Sequence, residues 1–284
     1  MTDSTTRAGT ARTIEGRALV ALDIDGTVLH EDGTITDAVI EAIHRVRDLG
    51  NEVMLATGRS VSMTLPIVER LGIAPDYLVC SNGAITLRRD EDGPTGYSRW
   101  HVETFDPSEV LTTISGNLEG ASYAIEDAEG LYLYSGTFPD GSLGASSKLV
   151  GFDDLLGVGA TRVVVISPEH EVEDFLQVVE KMGLHKVSYN IGWTAWLDIA
   201  PDGVNKGTAL ERVRAELDVE PDAVVVMGDG RNDIDMFEWA VTIGGVAVAM
   251  GQAPDEVKSA ANTETAPDVE DGVAQALDRH FPAK

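Results

Sequence analysis

Short apolar runs punctuate the chain: Ala18–Leu22, Glu52–Ala56, Tyr77–Cys80, Ala223–Met227 and Gly245–Met250. Runs this short, bounded by turn residues, read as strands buried on both faces, as in a parallel sheet. Between them the apolar positions take up helical spacing. Thr36 can N-cap a helix carrying Val39, Ile40, Ile43, Val46 and Leu49, with Gly50 as its stop. A second helix should reach Leu71 and Gly72, and Pro66 inside it predicts a kink or a late start. As far as residue 84 the rhythm is β-α-β-α-β, that of a parallel sheet with crossover helices.

The pattern then changes. Residues 85–201 hold short strand candidates at Ala121–Ile125, Leu131–Ser135, Arg162–Ile166, Lys186–Asn190 and Ala195–Ala200. Two helices interrupt them. One follows Asp106 and Pro107, with an acid at the N-cap and Pro at the first turn. The other starts near Ser167 and Pro168 and carries Val172, Phe175, Leu176, Val179 and Met182. Residues 136–160, rich in Gly and Ser, read as irregular. From Lys206 the α/β rhythm returns, with a helix to Leu217, the strand Ala223–Met227, a helix through Met236, Phe237 and Trp239, and a last helix over Val269–Arg279. The expected organisation is a polar tail over 1–16, a core domain over 17–84 and 202–284, and an α+β unit inserted as 85–201.

Composition narrows the function classes. The 284 residues carry 21 Lys and Arg against 48 Asp and Glu, a net charge of −27. Such a balance argues against nucleic acid or an anionic membrane as partner, but not against a phosphorylated small molecule held by a metal and a few cations. Cys80 is the one cysteine, so the chain has no internal disulfide and no cysteine-based zinc cluster. It ends an apolar run and reads as a buried structural thiol. No stretch has the length of a membrane span, and the polar first residues lack the apolar segment of a signal peptide. A cytoplasmic enzyme or binding protein is the resulting expectation.

The chemistry gathers where the strands end. Four of the runs lead into polar, glycine-bearing segments: Asp23-Ile24-Asp25-Gly26-Thr27, Thr57-Gly58-Arg59, Ser81-Asn82-Gly83-Ala84 and Gly228-Asp229-Gly230-Arg231-Asn232-Asp233. In a parallel sheet these ends share one edge, where ligands bind. That edge would collect Asp23, Asp25, Asp229 and Asp233, with Thr57, Asn82, Asn232 and Lys206 beside them. Asp23 and Asp25 are two apart, so an ideal strand would point both to one side. Each piece also has a structural explanation: Thr57 as a helix cap, Lys206 as a solvated first-turn lysine, the glycines as turns, Asp233 as an acid favouring a helix dipole. Taken jointly, four carboxylates in one crevice need a counter-charge, and a hard divalent cation supplies it. A carboxylate can attack phosphorus, and a second can act as acid and then base.

At these residues the chain resembles the haloacid dehalogenase (HAD) superfamily, and within it the Cof-type phosphatases with a large αβ cap. Asp23–Leu29 matches the first motif, DxDGT; Thr57-Gly58-Arg59 matches the second; Lys206 matches the third; Gly228–Asp233 matches the fourth, GDGxND. Ser81–Ala84 is similar to the subfamily's lead into its cap, and the resemblance spans Ala18 to about Met250. It implies a Rossmann-like α/β core with an inserted α+β cap. It implies Asp23 as nucleophile and Mg²⁺ ligand, and Asp25 as general acid/base that binds Mg²⁺ through its carbonyl. Asp229 would be the third protein ligand, supported by Asp233. Ile24 N–H, Thr57, Gly58, Lys206 and Asn232 would bind the phosphoryl group.

The expected function is Mg²⁺-dependent hydrolysis of small phosphomonoesters such as sugar phosphates. A phosphomutase and a low-turnover ligand-binding or regulatory protein are the rival readings. A metal-free dehalogenase would leave the acids at 229 and 233 without a purpose. Tyr189, Asn190, Trp193 and Trp196 read as cap core ahead of substrate contacts. Substrate identity and oligomeric state carry no sequence signal.

Overall fold

The computed structural model describes residues 12–14, 16–144, 146–167, 177, 187–191 and 196–282. Strands β1 (Leu19–Leu22), β2 (Glu52–Leu55) and β3 (Tyr77–Cys80) alternate with helices α1 (Asp37–Asp48) and α2 (Val61–Leu71). β4 (Ile85–Arg89), β5 (Tyr97–Val102), helix α3 (Ser108–Ser115), β6 (Ser122–Asp127), β7 (Tyr132–Ser135) and β8 (Ser147–Leu149) follow. Next come β9 (Ala160–Ile166), β10 (Val187–Ile191) and β11 (Trp196–Pro201). The chain closes with α4 (Lys206–Glu216), β12 (Val224–Gly228), α5 (Ile234–Thr242), β13 (Val246–Ala249), α6 (Asp255–Ala260), β14 (Thr263–Glu264) and α7 (Gly272–His280). The second cap helix and Trp193 lie outside the described residues, as do the side chains of Tyr189 and Asn190.

Two compact units emerge. The first comprises residues 1–57, 71–78 and 206–284; the second comprises 58–70 and 79–205. The second therefore takes in residues 58–70 and 79–84, which the sequence pattern had grouped with the core.

The first unit is built on a parallel sheet ordered β14-β13-β12-β1-β2. β1, β2, β12 and β13 are buried throughout, which is why their sequences are apolar without alternation. Leu22 stands in register with Leu55 on one side and Met227 on the other, so these strands end level. The helices behave as their spacing dictates. Thr36 caps α1, its hydroxyl accepting the Val39 N–H at 3.3 Å. Val39, Ile43 and Val46 are buried, whereas Leu49 at the C-terminus is 52% exposed.

The second unit carries a six-stranded, mainly antiparallel sheet ordered β10-β11-β9-β6-β7-β8. Val110, Leu111 and Ile114 of α3 pack with Ile125, Val163, Val165 and Leu197. Trp196 packs with Tyr132, Val164 and Ile166 in a separate cluster, so it is cap core as its aromatic character suggested.

Three local expectations need correction. β3 is not part of the parallel sheet but is ordered with β4 and β5. Only Ser81–Ala84 separates β3 from β4, too short for a crossover, so the next strand is laid directly beside it. Of the kink and the late start expected at Pro66, the late start is overturned, since α2 starts at Val61 and keeps Pro66 inside it. The stretch 136–160, read as irregular, contains the edge strand β8 and a short 3₁₀ turn at Phe152–Leu155. Cys80 is fully buried and its thiol is pushed up to about 12 by that burial, as befits a structural residue.

Candidate active site

β1 is the strand from which the sheet order runs both ways, to β2 on one side and to β12 on the other. Ligands bind at such a switch point, beyond the carboxyl ends of the strands. Asp23 is the first residue past β1, tied in by its N–H to the Met227 carbonyl at 2.9 Å. Thr57 lies two residues past β2 and is fully buried. The segment Gly228–Asp233 leaves β12, and Met250 N–H reaches the Gly228 carbonyl at 3.0 Å.

The two acids of the first segment part company. β1 ends at Leu22, and the chain then turns, the Ile24 carbonyl accepting the N–H groups of Thr27 (3.3 Å) and Leu29 (2.8 Å). Asp23 is only 4% exposed, whereas Asp25 is exposed. The side-by-side projection expected of an ideal strand is lost because the strand has already finished. Burial and exposure suit the pair to different tasks.

Lys206, the first residue of α4, is fully buried between two carboxylates. Its Nζ donates to Asp23 Oδ1 and to Asp233 Oδ1, each at 2.6 Å. The solvated-lysine reading is therefore excluded. Asp233 is also fully buried, and its Oδ2 accepts the N–H groups of Asp229 (3.0 Å) and Gly230 (2.9 Å). It fastens the 228–233 segment on itself while neutralising the lysine. Gly228 has to be glycine here, because a Cβ would lie 2.3 Å from the Asp233 carboxylate.

One cation does not balance these acids. Carboxylate oxygens of Asp23, Asp229 and Asp233 lie within 4.8 Å of one another. Burial raises the Asp23 carboxyl well above its ordinary range; Lys206 pulls it down, and Asp233, Asp25 and Asp229 push it up. Asp229 is pushed up to about 7, first by burial and then by Asp233, against the lowering effect of Lys206 and of a hydrogen bond from Gln252. Lys206 is held above its usual value, since the two paired carboxylates outweigh its burial. The crevice thus favours one more positive charge.

Of the sequence-predicted residues, Asp23, Asp229, Asp233 and Lys206 come together in direct or near contact. Ile24, Asp25, Thr57 and Asn232 belong to the same unit, on the segments that leave β1, β2 and β12. Gly58, the residue after Thr57, belongs to the second unit. Sequence reasoning missed Gln252. Its Nε2 donates to the Gly26 carbonyl at 2.5 Å and lies 3.4 Å from Asp229 Oδ2. The available signal was position: Gln252 follows β13, another strand of the same parallel sheet.

The model of the haloacid dehalogenase-like hydrolase family matches residues 20–277. The chain belongs to that family. The expected HAD membership holds, and the chain is an enzyme of this hydrolase class. It is 28% identical over 270 residues to the 5-amino-6-(5-phospho-D-ribitylamino)uracil phosphatase YitU of Bacillus subtilis, covering 93% of this chain and 97% of that one. It is 29% identical over 251 residues to the HMP-PP phosphatase of Yersinia enterocolitica, covering 84% and 86%. Among solved structures, protein TM0651 of Thermotoga maritima superposes with a TM-score of 0.71 at 23% identity, covering 93% and 97%. The HAD subclass IIB sugar phosphatase BT4131 gives a TM-score of 0.76 at 21% identity, covering 92% and 98%. These likenesses establish the α/β HAD fold with a separate cap sheet. No helix among the described residues is long and apolar enough to cross a membrane.

Proposed function

We propose that this enzyme is a Mg²⁺-dependent phosphomonoester hydrolase working through an aspartyl-phosphate, on sugar phosphates or similar small phosphorylated metabolites. The observation that carries the reading is the cluster of buried Asp23 and Asp233 with half-buried Asp229, which a single lysine leaves short of positive charge. The names of the relatives, phosphatases of small phosphorylated molecules, support it.

The donors fit the cation. They are hard carboxylate oxygens gathered closely enough to share an ion. Asp23 and Asp229 would hold it together with the Asp25 carbonyl. Asp233 supports them from alongside, its oxygens already engaged by Lys206 and two backbone N–H groups. When bound, Mg²⁺ supplies positive charge to the phosphoryl oxygens and the crowded acids.

The protein's own groups do the rest. An Asp23 carboxylate oxygen attacks phosphorus, and a new P–O bond forms as the ester P–O bond breaks. Asp25 gives its proton to the departing alkoxide. Ionised Asp25 then takes a proton from water as the water oxygen attacks phosphorus, expelling the Asp23 carboxylate and releasing inorganic phosphate. The exposure of Asp25 suits proton exchange with solvent. Lys206, Thr57, Asn232 and the N–H group of Ile24 hold the phosphoryl oxygens as charge develops. Discrimination among leaving groups is assigned to the inserted residues 85–201, in a cytoplasmic enzyme.

The test is phosphate release from a panel of phosphorylated metabolites with Mg²⁺, using Asp23→Asn as the blank. Turnover should fall by about a thousandfold or more in the variant, and likewise on chelation. Full turnover in either would refute the reading.

A further inference from the structure

Gln252 touches the candidate site without being one of its acids. Both ends of its carboxamide are engaged. Oε1 accepts the Asp268 N–H at 3.1 Å, and Nε2 donates to the Gly26 carbonyl at 2.5 Å with Asp229 Oδ2 at 3.4 Å. The partners fix which way the amide faces. Asp268 offers a donor, whereas Gly26 and Asp229 offer only acceptors, so the NH₂ end must point at the site.

The loop bearing Gln252 is itself anchored. Gly251 N–H reaches the Ala266 carbonyl at 3.2 Å, and Lys258 Nζ reaches the Gly251 carbonyl at 2.7 Å. At Gly251 a Cβ would lie 2.7 Å from the Pro267 nitrogen, so the two backbone segments are in close approach. The amide is therefore presented from a fixed frame.

What it meets there is the Asp229 carboxylate. That carboxylate is packed against the α-carbon of Gly26, where an added Cβ would stand 2.3 Å from Oδ2. One side of the carboxylate is thus set by the Gly26 backbone. Gln252 bonds both members of this contact, the Gly26 carbonyl and Asp229 Oδ2.

We infer that Gln252 is a positioning residue: its amide clamps Gly26 to Asp229 and so presents Asp229 to the divalent cation. The inference rests on the metal-dependent reading of the site. Groups that orient metal ligands typically change affinity by about 10–100-fold when removed. They act on cation binding ahead of the chemical step.

Gln252→Met keeps the length and bulk of the side chain and removes both hydrogen-bonding ends. The probe is Mn²⁺, whose unbound fraction is read directly by electron paramagnetic resonance, without turnover. Wild type should bind Mn²⁺, and the variant should bind it about tenfold or more weakly. The Mg²⁺ concentration for half-maximal phosphate release should rise in parallel, with kcat at saturating Mg²⁺ falling far less. Thermal unfolding in chelator separates loop damage from positioning, and the metal-free Tm of the variant should stay close to that of wild type. Unchanged Mn²⁺ affinity in Gln252→Met overturns the inference, as does a loss matched by a fall in the metal-free Tm. Wild type that binds no Mn²⁺ overturns the metal reading itself, and this inference with it.

Discussion

A Cβ at Gly26 would lie 2.3 Å from an Asp229 carboxylate oxygen, and the residue has φ +69°. Gly33 shares the left-handed backbone, φ +81°, but has open space where its Cβ would go. The two glycines separate conformational strain from site geometry. Alanine at either costs about 1–2 kcal/mol for the left-handed backbone. At Gly26 alone it must also displace Asp229. Gly26→Ala should therefore weaken Mn²⁺ binding and phosphate release by at least about tenfold, while Gly33→Ala lowers Tm and leaves both intact. Equal activity loss in the two variants would show that the Gly26–Asp229 contact is incidental. The sequence announced Gly26 as part of a motif, but not its reason. That reason is a through-space approach between residues about two hundred positions apart. Gln252 was less legible still, since a single carboxamide in a loop has no periodicity and no charge to betray it. Asp23 and Asp25 were legible as a pair, and their division into buried and exposed was not, because it depends on β1 stopping at Leu22.

At the scale of elements, Glu52 links β2 to the start of β3. It opens β2 as a buried carboxylate, and its Oε1 accepts the Asp76 N–H at 2.7 Å. Burial, and then the Asp76 charge, push its pKa from 4.5 up to about 7. A carboxyl whose folded pKa exceeds its unfolded value keeps its proton longer in the folded chain. Its stabilising contribution is present below the unfolded pKa of 4.5 and lost as pH rises toward about 7. Glu52→Gln retains the acceptor oxygen and removes the ionisation. Chemical denaturation should find the variant more stable than wild type by roughly 1–2 kcal/mol above neutral pH, with the difference vanishing near the unfolded pKa. A constant difference across that range would place the cause elsewhere. This same junction explains which elements the pattern revealed. β1, β2, β12 and β13 are buried on both faces, so burial wrote itself into unbroken apolar runs. β3 has the same kind of sequence, YLVC, and the same burial, yet is ordered with β4 and β5. Apolarity reports burial, not partnership. Strand β8, Ser147–Leu149, is exposed at every position on a sheet edge, so its one apolar residue, Leu149, made no run to read.

Across the whole molecule the charge is −27, and such self-repulsion is relieved by any added salt. A divalent cation should do something more, because Asp23, Asp229 and Asp233 converge only in the folded chain. A ligand that binds the folded state alone stabilises it by about 2.7 kcal/mol at a hundredfold excess over its Kd. Screening depends on ionic strength and is indifferent to which acids are present. Site binding depends on the cation and on those acids. Thermal unfolding in Mg²⁺ and in K⁺ at matched ionic strength separates the two. Both salts should raise Tm, and Mg²⁺ should raise it further by several degrees in the transition that melts the parallel sheet. Asp229→Asn should erase the Mg²⁺ increment and keep the K⁺ response, since one charge in 48 acids barely alters the overall field. Chelation of wild type should return it to the K⁺ curve. Coincident Mg²⁺ and K⁺ curves would mean that the acidic cluster feels only the general charge of the surface, and the metal-dependent chemistry built on it would have to be abandoned.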